Sequence, residues 1–322
     1  SASMSVGGRR CKRNGLTPRR MELSIEALAA LSPEQVRAGL AAWVASHLQA
    51  EQYVCDRLHR DLQRIVDVAG DDEVAALLAA YAAAGSGWKL FRADPLARRL
   101  TRVYMSALME PQELRGVDRL LSFDERGGRR LIVCNHLSYT DTQITDGVLA
   151  RAGLSSLADR LVAVAGPKVY TEPWRRMASI ALNTRKTAQS SAVASEQDSM
   201  SARELAAVAV ETLQACTRLM DEGYIVLLYP EGTRSRDGRL QPFLRAAARY
   251  LAVDGLSVLP LAQTGGDALF PIDAPRMFRG PVRLAFGQPF KPADFSGKSG
   301  ALDEAHRRLA AELPEGSRPR GK

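Results

Sequence analysis

Five short runs rich in aliphatic and β-branched residues, at 131–134, 161–165, 224–229, 256–262 and 282–286, are separated by stretches long enough to hold helices. Strands joined through helices pair side by side in parallel, whereas hairpins need only a tight turn. The alternation therefore predicts an α/β fold: a mainly parallel mixed sheet flanked by helices. In such open sheets ligands bind beyond the carboxyl ends of the strands. The residues that follow each run are where function is to be sought.

The leading residues follow a different period. Ser32 is placed as a helix cap, with Pro33 at the first helical position and Gln35 three residues after the cap. Cys55, Leu58, Leu62, Ile65, Val66 and Ala69 recur at helical spacing up to Gly70, and Asp71-Asp72-Glu73 opens the next helix with acids at its positive end. A third amphipathic stretch runs through Leu96, Leu100, Val103, Tyr104 and Leu108. The expected division is a basic, disordered segment at 1–21 and a small N-terminal helical bundle at 22–110. The α/β domain follows at 111–290, and a C-terminal helix with a basic tail at 291–322. Ser201-x-x-Glu204 caps a helix that Gly223 stops, and residues 187–200 read as a loop.

The formal charge of +8 is concentrated at the start: Arg9, Arg10, Lys12, Arg13, Arg19 and Arg20 stand in the first twenty residues without an acid, and the remainder carries +2. Such a segment is usually solvated and disordered; its charge could favour an anionic lipid surface or nucleic acid, and the expected partner is an anionic membrane, contacted peripherally, and no nucleic acid. No apolar run reaches the roughly 18 residues a spanning helix needs. The four cysteines lie far apart without a CxxC pair, and no apolar segment follows the early basic residues. A reducing, cytoplasmic location follows, peripheral on the inner face of the membrane if the tail engages lipid. His47, His59 and His306 fall on expected helices without HExxH spacing, so no metal site is expected.

Two of the five runs end in chemistry. After 131–134 come Asn135-His136-Leu137-Ser138-Tyr139-Thr140-Asp141, with an imidazole and a carboxylate five residues apart at a strand-to-helix junction. A carboxylate on one ring nitrogen fixes the tautomer and leaves the other nitrogen free to accept a proton. The same residues also spell Ser138-x-x-Asp141, a helix capping box, in which Asp141 would serve only the backbone. After 224–229 come Pro230-Glu231-Gly232-Thr233-Arg234-Ser235-Arg236. Two arginines beside a glycine that permits close backbone approach suit a phosphate.

Together these two blocks resemble the glycerolipid acyltransferase superfamily, which pairs an HxxxxD block with a Pro-Glu-Gly-Thr-Arg block. Gly166-Pro167-Lys168-Val169-Tyr170-Thr171-Glu172-Pro173, followed by Asn183-Thr184-Arg185-Lys186, is similar to the family's intermediate block. The resemblance implies His136 as general base and Asp141 as its orienting partner. It implies a substrate-binding set of Arg185, Lys186, Glu231, Gly232, Thr233, Arg234 and Arg236, with the basic members around a phosphate. The leading helices and the long insert look most like the soluble plastid-type glycerol-3-phosphate acyltransferases, which implies glycerol 3-phosphate as acceptor. The Glu231-Gly232-Thr233 triplet resembles instead the lysophosphatidate acyltransferases, which makes 1-acylglycerol 3-phosphate the alternative. The implied partners are an acyl carrier protein or coenzyme A thioester as co-substrate, with no other cofactor, and a phosphorylated glycerol acceptor. A non-catalytic membrane-surface protein of the same fold is the remaining alternative.

Overall fold

A computed structural model describes residues 24–188 and 200–320. The segment read at 1–21 and most of the loop read at 187–200 lie outside them. Ten strands are described: β1 Leu48–Gln49, β2 Leu90–Phe91, β3 Met109–Arg115, β4 Arg129–Cys134, β5 Leu161–Ala165, β6 Asn183–Lys186, β7 Ile225–Leu228, β8 Leu256–Thr264, β9 Met277–Phe278 and β10 Gly280–Phe286. The main sheet has the order β2-β6-β5-β7-β4-β8-β10-β3, and β1 pairs with β9 apart from it. All neighbours from β6 to β8 are parallel. Antiparallel pairs occur at β2 on β6 and β10 on β8, and β3 lies parallel to β10 at the far edge.

The five expected runs are β4, β5, β7, β8 and β10. Two other strands of the sheet lack that signal. β6, Asn-Thr-Arg-Lys, contains no aliphatic residue although all four residues are buried. β3 contains Pro111 and alternates toward solvent, as an edge strand can, because its outer side needs no donor.

Alternate residues of β4 point to opposite faces. Leu131 and Val133 join a cluster with residues of the helices Ala202–Asp221 and Gly297–Glu312; Ile132 and Cys134 join the cluster that holds the leading helices. The leading helices therefore share one core with the sheet. The boundary read at residue 110 falls inside β3, and β2 carries the leading segment into the sheet edge. The C-terminal segment read at 291–322 as a helix with a basic tail also joins the core. Its helix spans Gly297–Glu312 and buries Ala301, Leu302, Ala305 and Leu309. Each leucine so removed from water contributes about 1.5–3 kcal/mol. Among the described residues no helix is long and apolar enough to cross a membrane.

For the site, one pairing matters most. β4 and β7 are parallel neighbours in a register that sets Val133 opposite Leu228. The loops that leave them emerge side by side at the carboxyl edge, which brings the His136 and Glu231 segments together.

Candidate active site

Asp141 begins the helix Asp141–Arg151 and is 1% exposed. Its Oδ2 accepts from His136 Nδ1 at 2.9 Å, from the Leu137 N–H at 2.6 Å and from the Ser138 N–H at 2.9 Å. Its Oδ1 accepts from Gln263 Nε2 at 2.8 Å. The capping and the catalytic readings of the sequence thus meet in one carboxylate, although the helix cap itself is Thr140. A carboxylate that already receives three other N–H groups acts as an acceptor, so in the neutral ring Nδ1 of His136 carries the hydrogen and Nε2 the lone pair.

Gln263 makes this arrangement rigid. Asn135 exchanges two hydrogen bonds with its backbone, Nδ2 to the carbonyl at 2.9 Å and Oδ1 from the N–H at 2.8 Å, which extends the β4–β8 pairing past Cys134. Gly266 packs so close that a Cβ there would lie 2.5 Å from Asp141 Oδ1. Tyr229 supports the imidazole from the side, with ring centres 4.7 Å apart, and its hydroxyl is bonded to Thr142 Oγ1 at 2.9 Å. Cys134 is fully buried, and burial pushes its thiol upward, away from the reactive thiolate.

Glu231 ties the second loop to the first. Its Oε1 accepts from the His136 N–H at 2.6 Å and its Oε2 from the Gln241 N–H at 2.8 Å, while the Ser235 N–H donates to the His136 carbonyl at 2.7 Å. Burial raises the Glu231 carboxyl to about 7 against the lowering effect of those two N–H donors. Gly232 has φ +69°, and a Cβ there would collide with the Leu244 side chain, so the turn admits little but glycine.

The expected cation set divides. Arg234 lies over the Tyr139 ring, 3.9 Å from its centre, and Arg236 and Thr233 are exposed on the same loop. Arg185 and Lys186 are successive residues of β6 and point to opposite faces. Arg185, 4% exposed, pairs with Glu211 of the helix Ala202–Asp221 at 2.9 Å. Lys186 donates to the Gly85 carbonyl at 2.6 Å and lies over Trp88. Their convergence on one phosphate, implied by the resemblance, is not what the fold provides. Buried charges on such a polar strand need partners, and here Glu211 and the Gly85 carbonyl supply them.

A cavity of about 690 Å³ opens beside His136. Its polar lining includes Tyr139, Lys168 and Arg175, while Leu205 and Leu213 of the helix Ala202–Asp221 and Val164 and Leu228 of the sheet line an apolar part. Arg175 and Gln263 are not in the set read from the sequence. Their signals are faint: Arg175 follows the intermediate block, and Gln263 is a lone amide near the end of an apolar strand.

Residues 113–264 match the family described as Acyltransferase. The segment so matched, just under half of the chain, is an acyltransferase domain of the glycerolipid acyltransferase superfamily. The chain is 33% identical over 106 residues to the chloroplastic 1-acyl-sn-glycerol-3-phosphate acyltransferase of Brassica napus, an alignment that covers 32% of this chain and 30% of that one. It is 35% identical over 81 residues to an Arabidopsis thaliana enzyme of the same name, over 25% of this chain and 23% of that one. The matches thus span less than a third of these relatives' own length. The crystal structure of the 1-acyl-sn-glycerophosphate acyltransferase of Thermotoga maritima aligns with a TM-score of 0.49 at 15% identity, covering 85% of this chain and 95% of that one. The relatives are named for 1-acylglycerol 3-phosphate, the alternative acceptor of the sequence reading, and not for glycerol 3-phosphate. His136 and Asp141 lie within the matched segment, in the HxxxxD block of the sequence.

Proposed function

We propose that the chain is an O-acyltransferase that moves a fatty acyl group from a thioester to the free hydroxyl of 1-acylglycerol 3-phosphate. The observation that carries this reading is a histidine with its Nδ1 held by a buried carboxylate, in a cavity that has both an apolar wall and cationic side chains. The names of the relatives support this acceptor, and the cavity's apolar wall suits a lipid acceptor as well as a fatty donor.

In this mechanism Nε2 of His136 takes the hydroxyl proton as the oxygen attacks the thioester carbonyl. Asp141 keeps the ring oriented and stabilises the imidazolium. The carbon–sulfur bond then breaks, the imidazolium returns its proton to the departing thiolate, and the ester is released. The thioester is already activated, so no enzyme nucleophile is needed. Cationic groups near Tyr139 hold the acceptor phosphate, which converts binding energy into orientation of the hydroxyl. An acceptor that resides in a bilayer places the enzyme at a membrane surface, peripherally, with the acyl group delivered on acyl carrier protein or coenzyme A.

The test offers purified protein both donors and a panel of acceptors, with the products resolved by mass. Phosphatidate formed from 1-acylglycerol 3-phosphate supports the reading. Product from glycerol 3-phosphate alone would replace it with the other acceptor, and no acyl transfer to any hydroxyl would end it.

A further inference from the structure

We infer that Arg175 is an acceptor-binding residue: together with Arg234, and on the shared platform of the Tyr139 ring, it grips the phosphate of a phosphorylated lipid. This rests on the acyltransferase reading and deepens it, by naming a specificity residue that the family motifs of the sequence do not include.

Three observations support this role for Arg175. Its guanidinium lies over the Tyr139 ring at 4.5 Å, and that of Arg234 lies over the same ring at 3.9 Å. Two like charges are thus gathered on one aromatic residue, which the histidine loop itself carries. Cation–π attraction offsets part of their mutual repulsion, and an anion that reaches both at the edge of the ring would offset more. Second, Arg175 and Tyr139 both line the cavity that His136 lines, so a group held by this pair shares a chamber with the general base. Third, Arg175 has unused capacity. Its side chain is 13% exposed, its Nε is buried with no hydrogen-bond partner, and its charge is balanced by Glu172 at 2.5 Å, a carboxylate that is itself 59% exposed. An exposed carboxylate is a replaceable partner, because water can solvate it when a phosphate takes its place.

The competing reading is that Arg175 is a structural ion pair, as Arg185 is. Arg185 likewise has a buried, unpartnered Nε and a carboxylate partner that is 55% exposed, so what separates the two is where they stand. Arg185 is 4% exposed, sits inside a strand and faces Glu211. Arg175 stands on the helix Pro173–Ile180 with an open cavity before it. A guanidinium can offer two parallel donors to phosphate and an ammonium cannot, so charge alone does not replace it.

The experiment measures binding of 1-acylglycerol 3-phosphate and of the matching monoacylglycerol to the full chain by titration calorimetry below micelle-forming concentrations. The proteins compared are wild type, Arg175→Ala, Arg175→Lys and, as an exposed control outside the cavity lining, Arg245→Ala. Steady-state constants for acceptor and acyl donor are measured in parallel. The expected result is that Arg175→Ala weakens the phosphorylated lipid about 10–100-fold, the range for losing a charge-assisted hydrogen-bonded pair. Arg175→Lys should fall between it and wild type, and monoacylglycerol binding should be unchanged. The acceptor KM should rise while the donor KM holds.

Equal losses for both lipids would overturn the proposal in favour of a packing role. A rise in the donor KM alone would overturn it by assigning Arg175 to the donor's phosphates. Wild type that binds both lipids equally would also overturn it. The acyltransferase reading is judged separately, by whether wild type forms product at all. To separate misfolding from lost contact, Glu172→Gln frees Arg175 without removing it and is expected to bind the phosphorylated lipid at least as tightly as wild type; weaker binding would count against the exchange of partners.

Discussion

Gly266→Ala is the smallest change that reaches the base without touching it. The added Cβ would stand 2.5 Å from Asp141 Oδ1, 3.2 Å from Gln263 Nε2 and 3.4 Å from Ile144 Cδ1. An overlap of this kind is cheap when the neighbour is the free end of a long side chain. Asp141 is the opposite, a short side chain that is 1% exposed and held by four N–H donors. Either the carboxylate withdraws, and its bonds to Gln263 and His136 lengthen, or the backbone at Gly266 retreats. Overpacking of this size costs about 1–3 kcal/mol. In a chain this long that lowers Tm by roughly 2–12 °C, at about 2–4 °C per kcal/mol. The catalytic effect is expected to be larger than the stability effect. A misplacement near 1 Å costs about 10²-fold in rate, so kcat should fall by about that factor while the acceptor KM stays within a few-fold. Thermal melts and steady-state acyl transfer measure both, with Gly39→Ala as the control, since nothing lies within 4 Å of a Cβ at that position. A Gly266→Ala protein with wild-type kcat would show that the Asp141 carboxylate does not set the geometry of the base.

Five further substitutions separate the remaining roles. His136→Ala should lower acyl transfer by about 10²–10⁴-fold with little change in melting, the usual contribution of a general base; turnover within a few-fold of wild type would remove His136 from the mechanism. Asp141→Asn should cost both activity and stability, because one amide oxygen cannot receive four donors and each donor left buried costs about 1–3 kcal/mol; a loss confined to Tm would leave Asp141 as a cap alone. Arg234→Ala should raise the acceptor KM more than Arg236→Ala, since of these two only Arg234 stacks on Tyr139; equal effects would argue against the ring as a platform. For Glu231, folding raises the carboxyl from its ordinary value near 4.5 to about 7, so the folded state holds the extra proton between those values. That contribution to stability is full below about 4.5 and is lost as pH rises through about 7, by about 3 kcal/mol at most. Urea midpoints at pH 5 and pH 8 should therefore differ more in wild type than in Glu231→Gln, and equal differences in the two proteins would refute the assignment.

The legible part of the fold is the part in which burial and periodicity agree. β4, β5, β7, β8 and β10 are apolar runs, and the capped helix after Ser201 begins where its Ser-x-x-Glu pattern places it. β6 is hidden because its burial is achieved by pairing: Asn183 bonds backbone carbonyls, Thr184 bonds Tyr170, and Arg185 and Lys186 find internal acceptors. No propensity signals a strand of that kind. The C-terminal helix is legible in principle, since Ala301, Ala305 and Leu309 recur at a spacing of four. Its charged residues mask the stripe. In the site, His136, Asp141 and Glu231 can be found because local order in the chain places them at strand ends. Gln263, Gly266 and Arg175 cannot, because each reaches the site from a distant segment across the sheet edge.

The hydrogen bonds between the two loops decide how this site transmits binding into rate. The His136 N–H is held by Glu231, the His136 carbonyl by the Ser235 N–H, and the Pro230 carbonyl by the Leu244 N–H. Arg234 lies between Glu231 and Ser235 in the chain, so the segment that presents the cation is fixed at both ends to the segment that presents the base. On the proposed function, a phosphate gripped by Arg234 would be located relative to the imidazole through these hydrogen bonds, one of them made by the buried Glu231 carboxylate. The orientation of the acceptor hydroxyl would then be set by the fold, and loosening Glu231 should reduce kcat even though the base, its carboxylate and the cation all remain. Arg185 and Lys186 stand outside this linkage. They sit on β6, separated from β4 by β5 and β7, and hold the sheet edge to the segments around it.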